Sequence, residues 1–404
     1  MSSSTQLVAV AAVAFLAPLL LGLAPRLRVP AVVLEIAAGI LLGPVLHWVH
    51  VDLPIQVLST LGLAFLLFLA GLEIDFDRLR GPALRLAGAG FLASLAIGVG
   101  VGFAVFAAGL VKAPLFIAIT LLATSLGLVV PVLKDAGQSE SGFGQQVIAG
   151  ASLADFGAVI LLSLFFSREA GSPGVKVALL LGFILSVAFL GLTILRAERM
   201  AWLSRALVRL QDTTAQIRVR GAVLLLIGLS ALAARFGVEL LLASFIAGAM
   251  LSLVDRDQMS HPQFQTKLQA LGYGFLIPVF FISSGLQFDV SSLTNPASLA
   301  KVPIFVAALL LVRGLPAAVY LRSITPQQAV GAGLLQATSL PFIVAATQIG
   351  LVLGVIQPST AAALVAAGLV SVIAFPAIAL AVTRERKARP AGSTPTLAED
   401  GVRE

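Results

Sequence analysis

Asp155 stands near the middle of an apolar run, Val147 to Phe166, that is long enough to cross a bilayer. A carboxylate at that depth costs about 2.5–3.5 kcal/mol on insertion scales, so it normally faces a water-filled cavity and binds something. A carboxylate that must choose between a proton and a metal cation is the simplest device for exchanging one for the other. Hydroxyls that could complete such a site occur twice, in Ala123-Thr124-Ser125-Leu126 and in Ala337-Thr338-Ser339-Leu340. The first copy continues through Gly127 to Pro131, and the second runs directly into Pro341. A helix broken at membrane depth exposes backbone carbonyls and N–H groups, tolerated only where they line a cavity or hold a ligand. Thr124, Ser125, Thr338 and Ser339 would add hydroxyl oxygens, which suit hard cations. Either motif alone would read as small residues that let helices pack closely. Two copies at repeat-related positions favour a crossing of two broken helices.

Arg313, in Leu309–Gly314, is the basic residue left inside an apolar span. It could form a structural ion pair with Asp155 or support the site by its fixed charge, and the two roles are compatible. Glu35 lies inside one apolar run and Glu239 opens another; both read first as interface residues, with a second site role as the alternative. Glu73, Asp75 and Asp289 fall at span ends and read as caps or as the lining of an entrance. His47, His50 and His261 fall in loops, so no histidine is expected at membrane depth. The chain has no cysteine, which excludes disulfides and thiolate metal sites. No cofactor is expected.

The elements that must position these residues are membrane-spanning helices. Of the 404 residues, 59% are hydrophobic and 11% charged, with a mean hydropathy of +1.04. A soluble domain could not bury that much apolar surface. The net charge of +7 would suggest nucleic acid in a soluble protein; here it reports basic loops, and no nucleic-acid partner is expected. No basic residue precedes Arg26, so Leu7–Ala24 reads as a first span rather than a cleaved signal peptide. Breaks at Pro, Gly and charge clusters predict thirteen spans, at about 7–24, 29–47, 55–73, 84–110, 114–133, 144–166, 174–196, 217–235, 238–254, 264–286, 301–321, 327–350 and 358–381. Of the 26 Lys and Arg residues, 20 then fall in odd-numbered connections or the C-terminal tail, 5 on the other side, and Arg313 inside a span. The positive-inside rule puts the N-terminus outside and the C-terminus in the cytoplasm.

An internal repeat organises the chain. Ala123–Leu126 recurs as Ala337–Leu340 at an offset of 214, and Gly71-Leu72 with Asp75 recurs as Gly285-Leu286 with Asp289 at the same offset. A looser echo links Ala38-Gly39 with Leu42 to Ala247-Gly248 with Leu251. Matched segments lie seven spans apart, an odd number, so the two halves point in opposite directions through the membrane. Inverted repeats of this kind typify secondary transporters, with the site at their interface. The expected organisation is one transmembrane domain over residues 1–383, with repeat one at about 7–166, a linker helix at about 174–196 and repeat two at about 217–381. Residues 197–220 are expected to include an amphipathic helix on the cytoplasmic surface, and 384–404 a disordered cytoplasmic tail.

Together these blocks resemble the monovalent cation:proton antiporter family, particularly its Kef-like and NapA-like branches. The resemblance covers about Ala24 to Ala381. It rests on Arg28-Val29-Pro30 with Glu35, Gly39–Pro44, Phe68–Glu73, Ala123-Thr124-Ser125, Asp155, Ala243–Gly248, Pro278–Leu286 and Arg313. It implies an all-α membrane protein of NhaA-like antiporter fold, with a panel domain, a mobile core containing two crossed discontinuous helices, and a homodimer. The family's carboxylate maps to Asp155 and its basic residue on the facing helix to Arg313. Electrogenic members carry two adjacent acidic residues and Kef-type members a Gln before the Asp, whereas Ala154 stands there in this chain. The nucleotide-binding regulatory domain of Kef-type members is not expected after the last span.

The expected function is secondary active exchange of a monovalent cation, Na⁺ or K⁺, for H⁺ across the cytoplasmic membrane, and not catalysis. Asp155 would bind either ligand with Thr124 and Ser125, supported by Arg313, Thr338 and Ser339. One carboxylate serves both ligands, so competition enforces exchange, and with Ala154 beside it the exchange is expected to be electroneutral. A Na⁺-coupled organic anion symporter would need a roomier cavity with more polar ligands. A cation channel could use the same carboxylate, and flux coupled to an imposed pH gradient separates the two. An intramembrane protease would need a second mid-span aspartate, or a serine with a membrane histidine or lysine.

Overall fold

The computed structural model describes residues 3–23, 29–73, 82–166, 173–198, 213–254 and 263–383, and all regular structure among them is helical. Nine of the described helices are long and apolar enough to cross a membrane, and three shorter apolar helices join them. In chain order the helices are α1 (Ser3–Leu23), α2 (Ala31–Ile40), α3 (Leu53–Leu72), α4 (Pro82–Ala107), α5 (Pro114–Thr120) and α6 (Leu126–Asp135). Then come α7 (Gly142–Phe165), α8 (Pro173–Glu198), α9 (Ile217–Arg235), α10 (Leu240–Val254), α11 (Phe264–Leu271) and α12 (Ile277–Leu286), the last two joined by a π turn. Two short helices, α13 (Val290–Leu293) and α14 (Pro296–Leu299), lead into α15 (Lys301–Leu309), which continues through a π turn at Leu310–Gly314 to Arg322. The chain closes with α16 (Pro326–Gln336), α17 (Pro341–Val352) and α18 (Pro358–Thr383). Asp75, His261 and the tail after Thr383 lie outside the described residues, as does most of the expected amphipathic segment.

Helix ends follow local chemistry. Proline sits in the first turn of α3, α5, α16 and α17, where its missing N–H costs nothing. Asp52 caps α3 by accepting the Ile55 N–H at 3.1 Å, and Thr325 with Gln328 forms a capping box on α16. Gly137 and Gly354, just beyond α6 and α17, adopt the left-handed backbone (φ 67° and 66°) that ends a helix cleanly.

Two groups of helices pack separately. In one, α3 lies against α10 and α12, α2 against α12, and α9 against α10; in the other, α4 packs on α5 and α7, while α15, α16 and α17 pack on α18. Lipid is as apolar as leucine, so close backbone contact rather than water exclusion holds such helices together. Glycine makes that contact possible at two crossings. A Cβ on Gly39 would sit 2.3 Å from the Ile282 carbonyl, and one on Gly285 would sit 2.3 Å from the Ile36 carbonyl. Likewise, a Cβ on Gly71 would sit 2.0 Å from the Phe245 carbonyl, and one on Gly248 would sit 1.9 Å from the Phe68 carbonyl. The two groups meet where α7 touches α10, with the Phe156 and Phe245 rings stacked at 5.7 Å.

Candidate functional site

The two interruptions fall where the repeated motif stands, between α5 and α6 and between α16 and α17. Pro341 accounts for the second, because the residue before a proline is pushed out of the helical region, and Leu340 has φ −139°. The first has no proline in the break. It is held open by partners for its backbone. The Ser125 N–H donates to the Thr338 carbonyl at 2.9 Å, and the Leu340 N–H donates to Ser125 Oγ at 3.0 Å. The Thr124 hydroxyl donates to the Gln336 carbonyl at 2.6 Å. The two breaks are therefore stitched to one another.

Asp155 supplies the remaining acceptors. From the middle of α7, its Oδ1 accepts the Thr124 N–H at 2.9 Å and its Oδ2 the Leu126 N–H at 3.4 Å. Leu126 opens α6, so the carboxylate faces unpaired N–H groups and the positive end of a helix dipole. It also lines a cavity of about 260 Å³ together with Glu35, Glu73, Ser125 and Tyr273, reaching Pro30 just ahead of α2. That volume holds a cation together with several waters. Gly127 lines the same cavity, and Pro131 lacks the N–H that an α-helix would give to the Gly127 carbonyl.

Arg313 lies 1% exposed in the π turn after α15. Its Nε and Nη2 donate to Thr124 Oγ1 at 3.0 and 2.8 Å, Nη1 to Ser94 Oγ at 3.0 Å, and Nη2 to the Gly150 carbonyl at 3.2 Å. Among the described residues, none of these bonds goes to Asp155. Thr124 stands between the two charges, with its N–H on Asp155 and its hydroxyl on Arg313. The pairing expected from sequence is thus relayed, and the Thr124 hydroxyl is occupied by Arg313 and Gln336. Ser125 lines the cavity, and its hydroxyl accepts the Leu340 N–H. In the second break, Thr338 Oγ1 donates to the Leu334 carbonyl at 3.1 Å, and the Ser339 N–H donates to Ser371 Oγ at 3.1 Å.

Glu73, at the end of α3, lines the cavity as a residue placed at an entrance should, close enough to Asp155 for their charges to repel. Glu35 is buried, 5% exposed, and lines the cavity. Tyr273 faces Glu73 across the cavity wall. Among the described residues, no three His, Cys, Asp or Glu side chains converge as a metal-ligand cluster. Glu239 precedes α10, and His47 and His50 lie between α2 and α3. Asp289 caps α13, and the hydroxyls and N–H groups of Ser291 and Ser292 hold its carboxyl below the usual range.

Sequence reasoning missed Ser94, Gly150, Tyr320 and Gln336. Gln336 gives its carbonyl to Thr124 and its Nε2 to the Tyr320 hydroxyl at 2.9 Å. Gly150 makes room for both, since a Cβ there would lie 2.3 Å from Gln336 Nε2. The one available signal was a glutamine in an apolar run, immediately before the repeated motif.

Comparison with known proteins gives a family and a fold. A family model described as sodium/hydrogen exchanger, transmembrane, matches residues 11–381. The Bacillus subtilis protein named "Putative Na(+)/H(+) antiporter YjbQ" is 32% identical over 392 residues, covering 92% of this chain. The chain spans 61% of that relative's length. A Na⁺/H⁺ antiporter of Enterococcus hirae is 30% identical over 279 residues, 67% of this chain and 70% of the relative. The fold is similar to that of the sodium proton antiporter MjNhaP1 from Methanocaldococcus jannaschii, solved at pH 8. The TM-score is 0.66 at 18% identity, over 95% of this chain and 98% of that one.

Proposed function

The chain belongs to the sodium/hydrogen exchanger family of membrane transporters, and from that premise we propose that it exchanges Na⁺ or K⁺ for H⁺ at Asp155, one for one. The observation that carries the reading is a carboxylate that accepts two backbone N–H groups of a broken helix while lining a hydrated-ion-sized cavity. Empty, Asp155 accepts those two N–H donors. A cation entering the cavity takes its oxygens together with Ser125 Oγ and the carbonyls freed at the break. A proton arriving from the other side competes for the same oxygens, and the loser leaves. Arg313 and Thr124 hold the crossing in shape; Thr338 and Ser339 do so from the second break.

The thirteen-span, inverted-repeat reading has support beyond the motif. Exchanging the two copies turns the Gly39–Gly285 crossing into the Gly248–Gly71 crossing, and both crossings are present. We place the protein in the cytoplasmic membrane as a homodimer, N-terminus outside and C-terminus inside, with α8 as the linker between repeats. Cavity-lining Pro30 and Glu73 then lie toward the cytoplasm, which makes this the inward-facing state. Exchange is electroneutral on this reading, because Ala154 stands where electrogenic members carry a second carboxylate and Asp155 alone serves both ligands.

The test is Asp155→Asn in proteoliposomes, with collapse of an imposed pH gradient on adding Na⁺ or K⁺ as readout. Exchange should vanish while the purified protein stays monodisperse. Parent-like exchange by that variant would refute the mechanism.

A further inference from the structure

The cavity at Asp155 carries more acidic groups than exchange at one carboxylate uses. Glu35, Glu73 and Asp155 all line it, and among the described residues no Lys, Arg or His does. Asp155 has its two N–H donors, with Arg313 behind Thr124. Glu35 and Glu73 make no hydrogen bond and no ion pair among the described residues, although Glu35 is only 5% exposed. A buried carboxylate without a partner is costly, so this cavity is short of positive charge. The three groups also belong to two bodies. Asp155 on α7, with Ser125 and Gly127 at the first break, stands in the helix group that holds the crossing. Glu35 on α2 and Glu73 at the end of α3 stand in the other group, as does Tyr273 in the π turn ahead of α12. The two bodies meet at Gly127, where a Cβ would lie 3.2 Å from the Tyr273 hydroxyl and 3.8 Å from Glu73 Oε2. The residue before it, Leu126, gives its N–H to Asp155.

We propose that Glu35 and Glu73 form a stationary half-site for the transported monovalent cation, present only while Asp155 faces the cytoplasm. This rests on the reading of Asp155 as the exchange site. A cation in the cavity is then shared. Asp155 and Ser125 hold it from the crossing, while Glu35 and Glu73 attract it by charge across the water that fills the remaining space. A sphere of 260 Å³ is about 8 Å across. At roughly that distance, and at an effective dielectric between about 20 and 40, one ionised carboxylate tightens cation binding about five- to thirtyfold. When the crossing turns outward it leaves both carboxylates behind, and the cation is held by Asp155 and the break alone. Na⁺ or K⁺ is therefore bound more tightly from the cytoplasm than from outside. Stoichiometry is untouched, because groups that do not travel add nothing to the load.

The test measures the half-saturating Na⁺ concentration of the full-length protein at each face separately. Everted membrane vesicles present the cytoplasmic face and right-side-out vesicles the external one, both from cells with no Na⁺/H⁺ exchange of their own. Alkaline pH keeps carboxylates ionised and protons from competing. For the parent protein the cytoplasmic value should be at least about fivefold lower than the external one. Glu35→Gln and Glu73→Gln should each raise the cytoplasmic value about five- to thirtyfold and leave the external value within about twofold. Glu73→Asp, which keeps the charge, should stay near the parent at both faces. Equal values for the parent at the two faces would overturn the proposal, whether or not the variants fold. So would Gln variants that weaken Na⁺ binding alike at both faces, or at neither. Asp155→Asn, assayed beside them, should abolish exchange at both faces; exchange persisting there would instead remove the reading beneath the proposal.

Discussion

Substituting alanine at Gly71 and at Gly100 should move stability in opposite directions, although both are glycines inside apolar helices. A methyl at Gly71 would lie 2.0 Å from the Phe245 carbonyl and 2.9 Å from the Ala249 N, both backbone atoms that cannot rotate away. Helices α3 and α10 must then part by more than an ångström along their closest contact, and overpacking of that kind costs about 1–3 kcal/mol. At Gly100 on α4 a methyl meets nothing within 4 Å, so replacing glycine gains about 0.5–1 kcal/mol of helix preference. The two variants should differ by about 1.5–4 kcal/mol. Gly248→Ala, whose methyl would lie 1.9 Å from the Phe68 carbonyl, should match Gly71→Ala. Thermal unfolding of detergent-purified protein, followed by the loss of a monodisperse elution peak, reads this directly. Equal stabilities for Gly71→Ala and Gly100→Ala would refute the backbone contact, and with it the glycine argument for the packing of the two halves.

With membrane potential clamped by K⁺ and valinomycin, Na⁺/H⁺ exchange should reach the same end point at every potential; a dependence abolished by Glu73→Gln would identify Glu73 as a second titrating group. Arg313→Ala removes the donor shared by Thr124, Ser94 and Gly150 and should destabilise the protein by about 1–3 kcal/mol in unfolding assays. Arg313→Lys should recover less than half of that, since one ammonium cannot reach all three acceptors. In this cysteine-free chain, Lys112→Cys should label with an impermeant maleimide on intact cells and Glu140→Cys only after lysis; the reverse pattern would invert the topology.

The apolar runs, the mid-span aspartate and the proline at the second break each carry a local physical signal, and each is where its residues placed it. What depends on the meeting of distant segments was not legible. Glu35 sits on a helix that is apolar all round, so nothing in its periodicity says which side faces the cavity. Arg313 and Thr124 are 189 positions apart in the chain, and neither residue type announces that a hydroxyl would stand between guanidinium and carboxylate. Ser94 is one hydroxyl among many in apolar helices, and its role exists only because α4 passes Arg313. The first break lacks a proline and is held open by tertiary partners, so only its resemblance to the second betrayed it.

The three hydrogen bonds that stitch the breaks together, between Ser125 and Thr338, Leu340 and Ser125, and Thr124 and Gln336, have a consequence for direction. If the site crosses the membrane as proposed, the two breaks must travel as one body, and Ser125 with the neighbouring Asp155 travels with them. On the proposed exchange, the same crossing then serves either face and in itself favours neither direction. Under that proposal, whether the metal ion is expelled or admitted would be decided by the two concentration ratios, and reversing the larger ratio would reverse the traffic.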